Sequence, residues 1–109
     1  MTTTAKRLVS GSQLTGSAAT YYTAPTLTKA VIKSAQLTNT TAGAVACTVC
    51  LIPSGGSAGA TNTFISARSI AVGETYNCPE LVNAVLEAGG FIQAKGLDVT
   101  FTVSGIEIV

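Results

Sequence analysis

The sequence predicts a single all-β domain, an antiparallel β-sandwich or jelly roll of about eight short strands. Three observations lead to this fold class. Thr, Val and Ile, which favour strands, recur along the whole chain. Clusters of Gly, Ser, Asn and Pro interrupt these apolar runs at the spacing of turns. The length of 109 residues is typical of one domain.

The chain is predicted to begin with a polar N-terminal arm, residues 1–16, followed by a single β-sandwich domain, residues 17–109. Within the arm, Ala5 to Ser10 is a candidate edge strand. The next strand, Ser17 to Pro25, ends at Pro25 because proline has no N–H group to donate to a sheet.

The two strands that follow are predicted to pair as a hairpin. Thr28 to Thr40 ends in the turn "NTTAG", and Ala44 to Pro53 follows at once. Lys29 and Lys33 fall on the same face as Val31 if the strand alternates regularly. Either a bulge intervenes, or that end of the strand faces solvent or a partner.

The middle of the chain alternates between flexible and strand-forming segments. Ser54 to Asn62 is a Gly- and Ser-rich loop, and Thr63 to Ala71 is the next strand. A short strand, "TYNC", comes after the turn "VGE". Pro79 to Gly90 is compatible with a helical turn or a strand, since Pro79 suits the first position of a helix. Phe91 to Ala94 is the next short strand.

The last strand, within Asp98 to Val109, shows the clearest alternation. Phe101 and Val103 face one side, and the neighbouring Thr100 and Thr102 face the other. After Gly105 the apolar phase moves to Ile106, which predicts a bulge at Gly105.

Charge and composition exclude several partners. The chain has six Lys and Arg and five Asp and Glu, so its net charge is +1. It therefore lacks the excess of positive charge that binds nucleic acid. The apolar stretches fall short of the roughly 20 residues of a membrane span, and the start lacks the apolar run of a signal peptide. We therefore expect no nucleic acid or membrane partner. Only 10% of the residues are charged, so the surface is poorly protected against association, which favours a homo-oligomer.

The run "ACTVC" contains a Cys-x-x-Cys pair. On a strand, Cys47 shares a face with Val49 and Leu51, whereas Cys50 lies on the opposite face, so the two sulfurs point apart. A zinc site would need two more ligands, and the chain offers only Cys78 and no histidine. We predict structural core thiols, with Val49, Leu51, Phe101 and Val103 as further core residues, and no cofactor or metal.

Catalytic motifs are equally scarce. Without histidine, the Ser-His and Cys-His nucleophilic pairs cannot form. The run "IPSGGSAG" lacks the Lys-Ser or Lys-Thr of a phosphate-binding loop. The carboxylates are scattered along the chain, at Glu74, Glu80, Glu87, Asp98 and Glu107. We predict that the protein is not an enzyme.

Tyr21 and Tyr22 are neighbours, so on a regular strand one ring points inward and the other outward. The outward ring is a candidate interface anchor. The alternative is a tyrosine that covers the edge of the core.

Several segments resemble those of small virion proteins of tailed bacteriophages. They are "YTAP", the strand ending in "NTT", the strand ending in "PSGGSAGA", then "GETY", "PEL" and "FIQA", and the resemblance covers about residues 20–108. It implies a non-enzymatic capsid decoration, or cement, protein that bridges major capsid subunits, often as a trimer. It also implies a location on the capsid surface after assembly in the bacterial cytoplasm.

In that role the arm is predicted to add a strand to a neighbour's sheet edge. The partner-binding candidates are Lys6, Arg7, Leu8, Tyr21 and Tyr22. The first alternative is a tail, baseplate or fibre-attachment component. The second is a small carbohydrate-binding module, although no Trp, three Tyr and three Phe make an aromatic platform hard to build.

Overall fold

Two antiparallel sheets pack against each other in the computed structural model, which describes residues 2–109. Residue 1 of the predicted arm lies outside the described residues. A single turn of 3-10 helix occupies Pro79–Leu81. The strands are β1 (Thr3–Gln13), β2 (Ala19–Thr23), β3 (Lys29–Thr38), β4 (Val45–Ile52), β5 (Thr63–Ile70), β6 (Thr75–Asn77), β7 (Val85–Leu86), β8 (Phe91–Lys95) and β9 (Thr100–Ile108).

The order of the strands is that of a jelly roll. The first sheet has the order β1-β9-β3-β6, with the two-residue β7 also paired to β3, and the second sheet has the order β2-β8-β4-β5. Early and late strands therefore pair as β1 with β9, β2 with β8, β3 with β6 and β4 with β5. This nested pairing wraps the chain into two Greek keys. The predicted fold class, an all-β sandwich or jelly roll, is confirmed.

The core lies between the two sheets and is made by every second residue of their central strands. Phe101 and Val103 of β9 and Ile92 of β8 are fully buried. The Phe101 ring meets the Tyr21 ring edge to face, with their centroids 6.4 Å apart. Truncating such a buried aromatic side chain to alanine usually lowers the free energy of unfolding by about 3–5 kcal/mol.

The predicted hairpin between β3 and β4 is wrong, because the two strands belong to different sheets. Their connection crosses the end of the sandwich and is held by Asn39, which is fully buried. The Asn39 amide donates to the carbonyl oxygens of Gly43 at 2.9 Å and Ile70 at 2.8 Å. Its oxygen accepts from the Thr41 N–H at 2.9 Å. The turn signal was correct, but Asn39 redirects the chain into the second sheet.

The bulge predicted at Gly105 lies in the neighbouring strands instead. Pairing with β9 shifts register at Leu8 in β1 and at Lys33 in β3, while β9 itself alternates without a break. Gly105 is buried between them, and a Cβ atom there would overlap the Val31 carbonyl oxygen. Consequently Ile106 remains on the opposite side of the sheet from Phe101.

The remaining segments complete the ends of the sandwich. The region from Pro79 to Gly90, left open between helix and strand, contains both the 3-10 turn and β7. Leu81 in that turn is fully buried. The N-terminal segment predicted as an arm forms β1, which is longer than Ala5 to Ser10 and is an edge strand of the first sheet. Across residues 2–109, no helix has the length and hydrophobicity needed to cross a membrane.

Candidate partner-binding surface

The side of the first sheet that faces away from the second sheet carries a cluster of aliphatic side chains. Residues directly opposite each other on neighbouring strands share a face. Ile106 of β9 lies opposite both Ala5 of β1 and Val31 of β3, and Val31 lies opposite Val85 of β7. Together with Ile108, these residues form what we call the apolar patch: Ala5, Val31, Val85, Ile106 and Ile108.

The apolar patch is accessible to a partner. Val85 is 51% exposed and Ala5 is also exposed. Val31, Ile106 and Ile108 are half-buried by their neighbours within the sheet. No further layer covers this face in the described part of the chain, since the two sheets are the only layers there. Contiguous exposed aliphatic groups are typical of interaction sites.

Basic side chains border the apolar patch. Arg7 lies opposite Ser104 on the same face, is exposed, and has no carboxylate within ion-pair distance among residues 2–109. Lys29 forms a 3.6 Å ion pair with Glu87, but both side chains are largely exposed. Such an exposed pair contributes little, and Lys29 can exchange partners easily. The surface therefore suits a partner with apolar and acidic groups side by side.

The structure separates the three predicted partner residues of the N-terminal segment. Lys6 forms a 3.4 Å ion pair with Glu107, on the side of the sheet opposite Arg7. Leu8 is only 7% exposed and belongs to the core, so its predicted place in an interface is corrected. The reason is the bulge, which turns both Leu8 and Val9 inward. Only Arg7 stands beside the apolar patch.

One tyrosine ring was predicted to point outward, but neither ring does so in the structure. A bulge between Thr20 and Tyr22 breaks the alternation of β2, so both rings pack half-buried against the core. Tyr21 contacts Phe101, and the Tyr22 hydroxyl donates to the Glu107 carboxylate. Burial and the neighbouring Glu107 raise the pKa of Tyr22 well above its ordinary value of 10.0. The two rings therefore cover the edge of the core.

The Cys-x-x-Cys thiols lie on opposite faces of β4. Cys47 is fully buried in the core beside Val49 and Leu51, and burial raises the pKa of its thiol. Cys50 is also buried, at 6% exposure, on the opposite face of β4 and outside the main core cluster. Its sulfur is 3.5 Å from the Thr63 hydroxyl. All three cysteines are free thiols.

Cys50 lies in a groove of about 260 Å³ on the outer face of the second sheet, beneath the loop after β4. Small and polar side chains line the groove, among them Ala18, Thr48, Ala58, Thr63, Gln93 and Lys95. Its lining contains no aromatic ring, so it offers no stacking platform for a sugar.

Two of the five carboxylates accept local hydrogen bonds, and two others, Glu87 and Glu107, form ion pairs. Glu74 accepts a hydrogen bond from the Ala71 N–H at 2.7 Å, and Glu80 accepts one from the Tyr76 hydroxyl at 2.7 Å. Within residues 2–109, no three His, Cys, Asp or Glu side chains lie close enough to share a metal ion.

The buried thiol of Cys78 makes the stability of the core depend on pH. Burial and the nearby Glu80 raise the pKa of Cys78 to about 12, from an ordinary value of 9.0. Folding therefore favours the neutral thiol, and this contribution is complete below about pH 9 and is lost as the pH rises towards about 12. We expect the melting temperature to fall over that range, and to fall less steeply in Cys78→Ala. Thermal unfolding followed by circular dichroism measures both curves, and parallel curves would exclude Cys78 as the group responsible.

The apolar patch was not among the surfaces predicted from the sequence. Placing the bulge in β9 hid the fact that Ile106 and Ile108 lie on the face opposite Phe101. An unbroken alternation through Gly105 was the signal that would have revealed them.

Comparisons with protein-family models, with curated proteins and with solved structures found no match to this chain.

Proposed function

We propose that this protein is a non-enzymatic structural protein of a tailed-phage virion that decorates the capsid shell and binds it through the apolar patch. The observation that carries the proposal is the row of Val31, Ile106 and Ile108 on a sheet face that no other layer within residues 2–109 covers. Burying such side chains against a partner is favourable by about 25 cal/mol per Å².

The resemblance of the turn and strand segments to phage virion proteins supports the same proposal. The jelly roll is an architecture used by viral capsid proteins and also by lectins. The absence of an aromatic ring from the groove on the second sheet favours the first of these roles over a carbohydrate-binding module.

The charge around the apolar patch indicates the chemistry of the partner surface. Arg7 and Lys29 lie at its border, and among the described residues the only ion pair there joins Lys29 to Glu87. We therefore expect the major capsid protein, or another virion protein, to present acidic side chains around an apolar contact area. Such charges act mainly on the rate of encounter and on specificity.

The proposal predicts that a charge inside the apolar patch prevents docking. Val85→Asp should weaken binding to shells of the major capsid protein by at least about tenfold, because the contact would bury an unpaired carboxylate. The matched control is Leu97→Asp, since Leu97 is 59% exposed and lies beside the second sheet. Co-sedimentation with shells measures both, and equal binding by the two variants would contradict the docking face.

Location on the particle requires a separate measurement. Immunogold labelling of purified virions should place the protein on the shell. Label confined to the tail or baseplate would overturn the decoration role in favour of a tail component. Particles without label would overturn both.

A further inference from the structure

The outer edge of β1 is exposed from Thr3 to Arg7. This strand pairs with β9 on one side only, and every residue of the segment is exposed. Its pairing with β9 is regular over Thr3–Arg7, and the first register shift comes after Arg7. A regular, uncovered edge is a template for another strand.

The backbone groups of this segment point in known directions. Thr2 and Val109 exchange two hydrogen bonds, of 3.0 Å and 2.8 Å, so the Thr2 N–H and C=O face β9. Backbone groups alternate along an antiparallel strand. The N–H and C=O groups of Thr3, Ala5 and Arg7 therefore face away from β9 and towards a partner strand.

The other edges of the two sheets are less suited to strand addition. β2 is bulged between Thr20 and Tyr22, and the pairing of β5 with β4 shifts register twice. β6 and β7 contain only three and two residues. Bulges and very short strands are two of the usual protections against strand pairing. Thr3–Arg7 lacks both forms of protection.

We propose that this edge binds the same edge of a second copy of the chain, antiparallel and with a two-fold axis at Ala5. In this register Ala5 faces the partner's Ala5, and Thr3 faces the partner's Arg7. By symmetry Arg7 also faces the partner's Thr3, and each of these three pairs can exchange two backbone hydrogen bonds. Charge favours a second copy as the partner, because no like charges face each other in this register and Lys6 is already paired with Glu107 within each copy.

The dimer would join the two first sheets into one. Ala5 belongs to the apolar patch, so the two patches would meet at the axis on the same face. The proposal does not depend on the virion role, and it differs from the trimer that the family resemblance implies. A five-residue contact on each side is small, so we expect reversible, concentration-dependent association.

The first test removes the central backbone donor. Ala5→Pro deletes an N–H that makes no bond within the chain, whereas Ala5→Val keeps it. Sedimentation velocity and light scattering should give a mass that rises from 10.9 kDa to twice that value with concentration for the wild type and Ala5→Val. Ala5→Pro should stay monomeric. A wild-type monomer at every concentration, a trimer, or dimerisation by Ala5→Pro would overturn the inference.

The second test fixes the register and does not rely on proline. Thr3→Glu places a carboxylate opposite the partner's Arg7 twice per dimer, and should tighten dimerisation roughly tenfold. Thr3→Arg places two like charges together and should weaken it by a similar factor. Circular dichroism checks that both variants fold. Equal dimerisation by the two variants would exclude the register centred on Ala5.

Discussion

Gly105→Ala should destabilise the protein by roughly 3 kcal/mol, a large share of the usual stability of a small domain. The added Cβ atom would overlap the carbonyl oxygen and carbon of Val31. Both groups are backbone, so a side-chain rotation cannot relieve the clash. β3 would have to move away from β9 at the centre of the first sheet.

Urea unfolding followed by circular dichroism measures this effect. The matched control is Gly43→Ala, because a Cβ atom at Gly43 has no neighbour within 4 Å. We expect Gly43→Ala to change the free energy of unfolding by less than about 0.5 kcal/mol. Similar values for the two variants would mean that the strands do not approach closely at Gly105.

Asn39→Ala should cost about 3 kcal/mol, because it removes a buried group that joins both sheets. The Ile70 carbonyl loses its 2.8 Å partner, and the Gly43 carbonyl loses a 2.9 Å partner. The N–H of Thr41 loses its acceptor as well. Buried polar groups left without partners account for most of the expected loss.

Asn62→Ala provides the matched control for this second effect. The Asn62 side chain bonds the Gly59 N–H and the Ser57 carbonyl, both at 2.9 Å, so it braces only the loop after β4. We expect it to cost less than about 1 kcal/mol, since that loop is exposed. Thermal unfolding compares the two variants. A smaller loss for Asn39→Ala than for Asn62→Ala would refute the role of Asn39 as the link between the sheets.

Local patterns in the sequence were sufficient for the fold class and for the positions of most strands. The alternation of Phe101 and Val103 identifies the inner face of β9, and the turn clusters separate the strands. These features depend on near neighbours, so they are visible in the sequence. Pairing depends on distant residues, which is why the turn at Asn39 was predicted to close a hairpin.

The candidate surface was less accessible to prediction because bulges change which side chains face outward. The bulge at Leu8 sends a predicted interface residue into the core, and the one in β2 turns both tyrosines against the core. A bulge in β3 was one of two explanations offered for Lys29 and Lys33, and the register shift at Lys33 shows that it is present. One inserted residue exchanges the two faces of a strand.

The nested pairing of the strands has a consequence for how the chain reaches its native state. β1 is synthesised first but pairs with β9, with Thr3 opposite Ile108. Closing such a distant contact is slow, because the entropy of ordering the intervening chain is lost before the contact forms. The β4 and β5 pair needs only the loop between them. We therefore expect the β4–β5 pair to nucleate folding, while β1 pairs only after β9 has been synthesised.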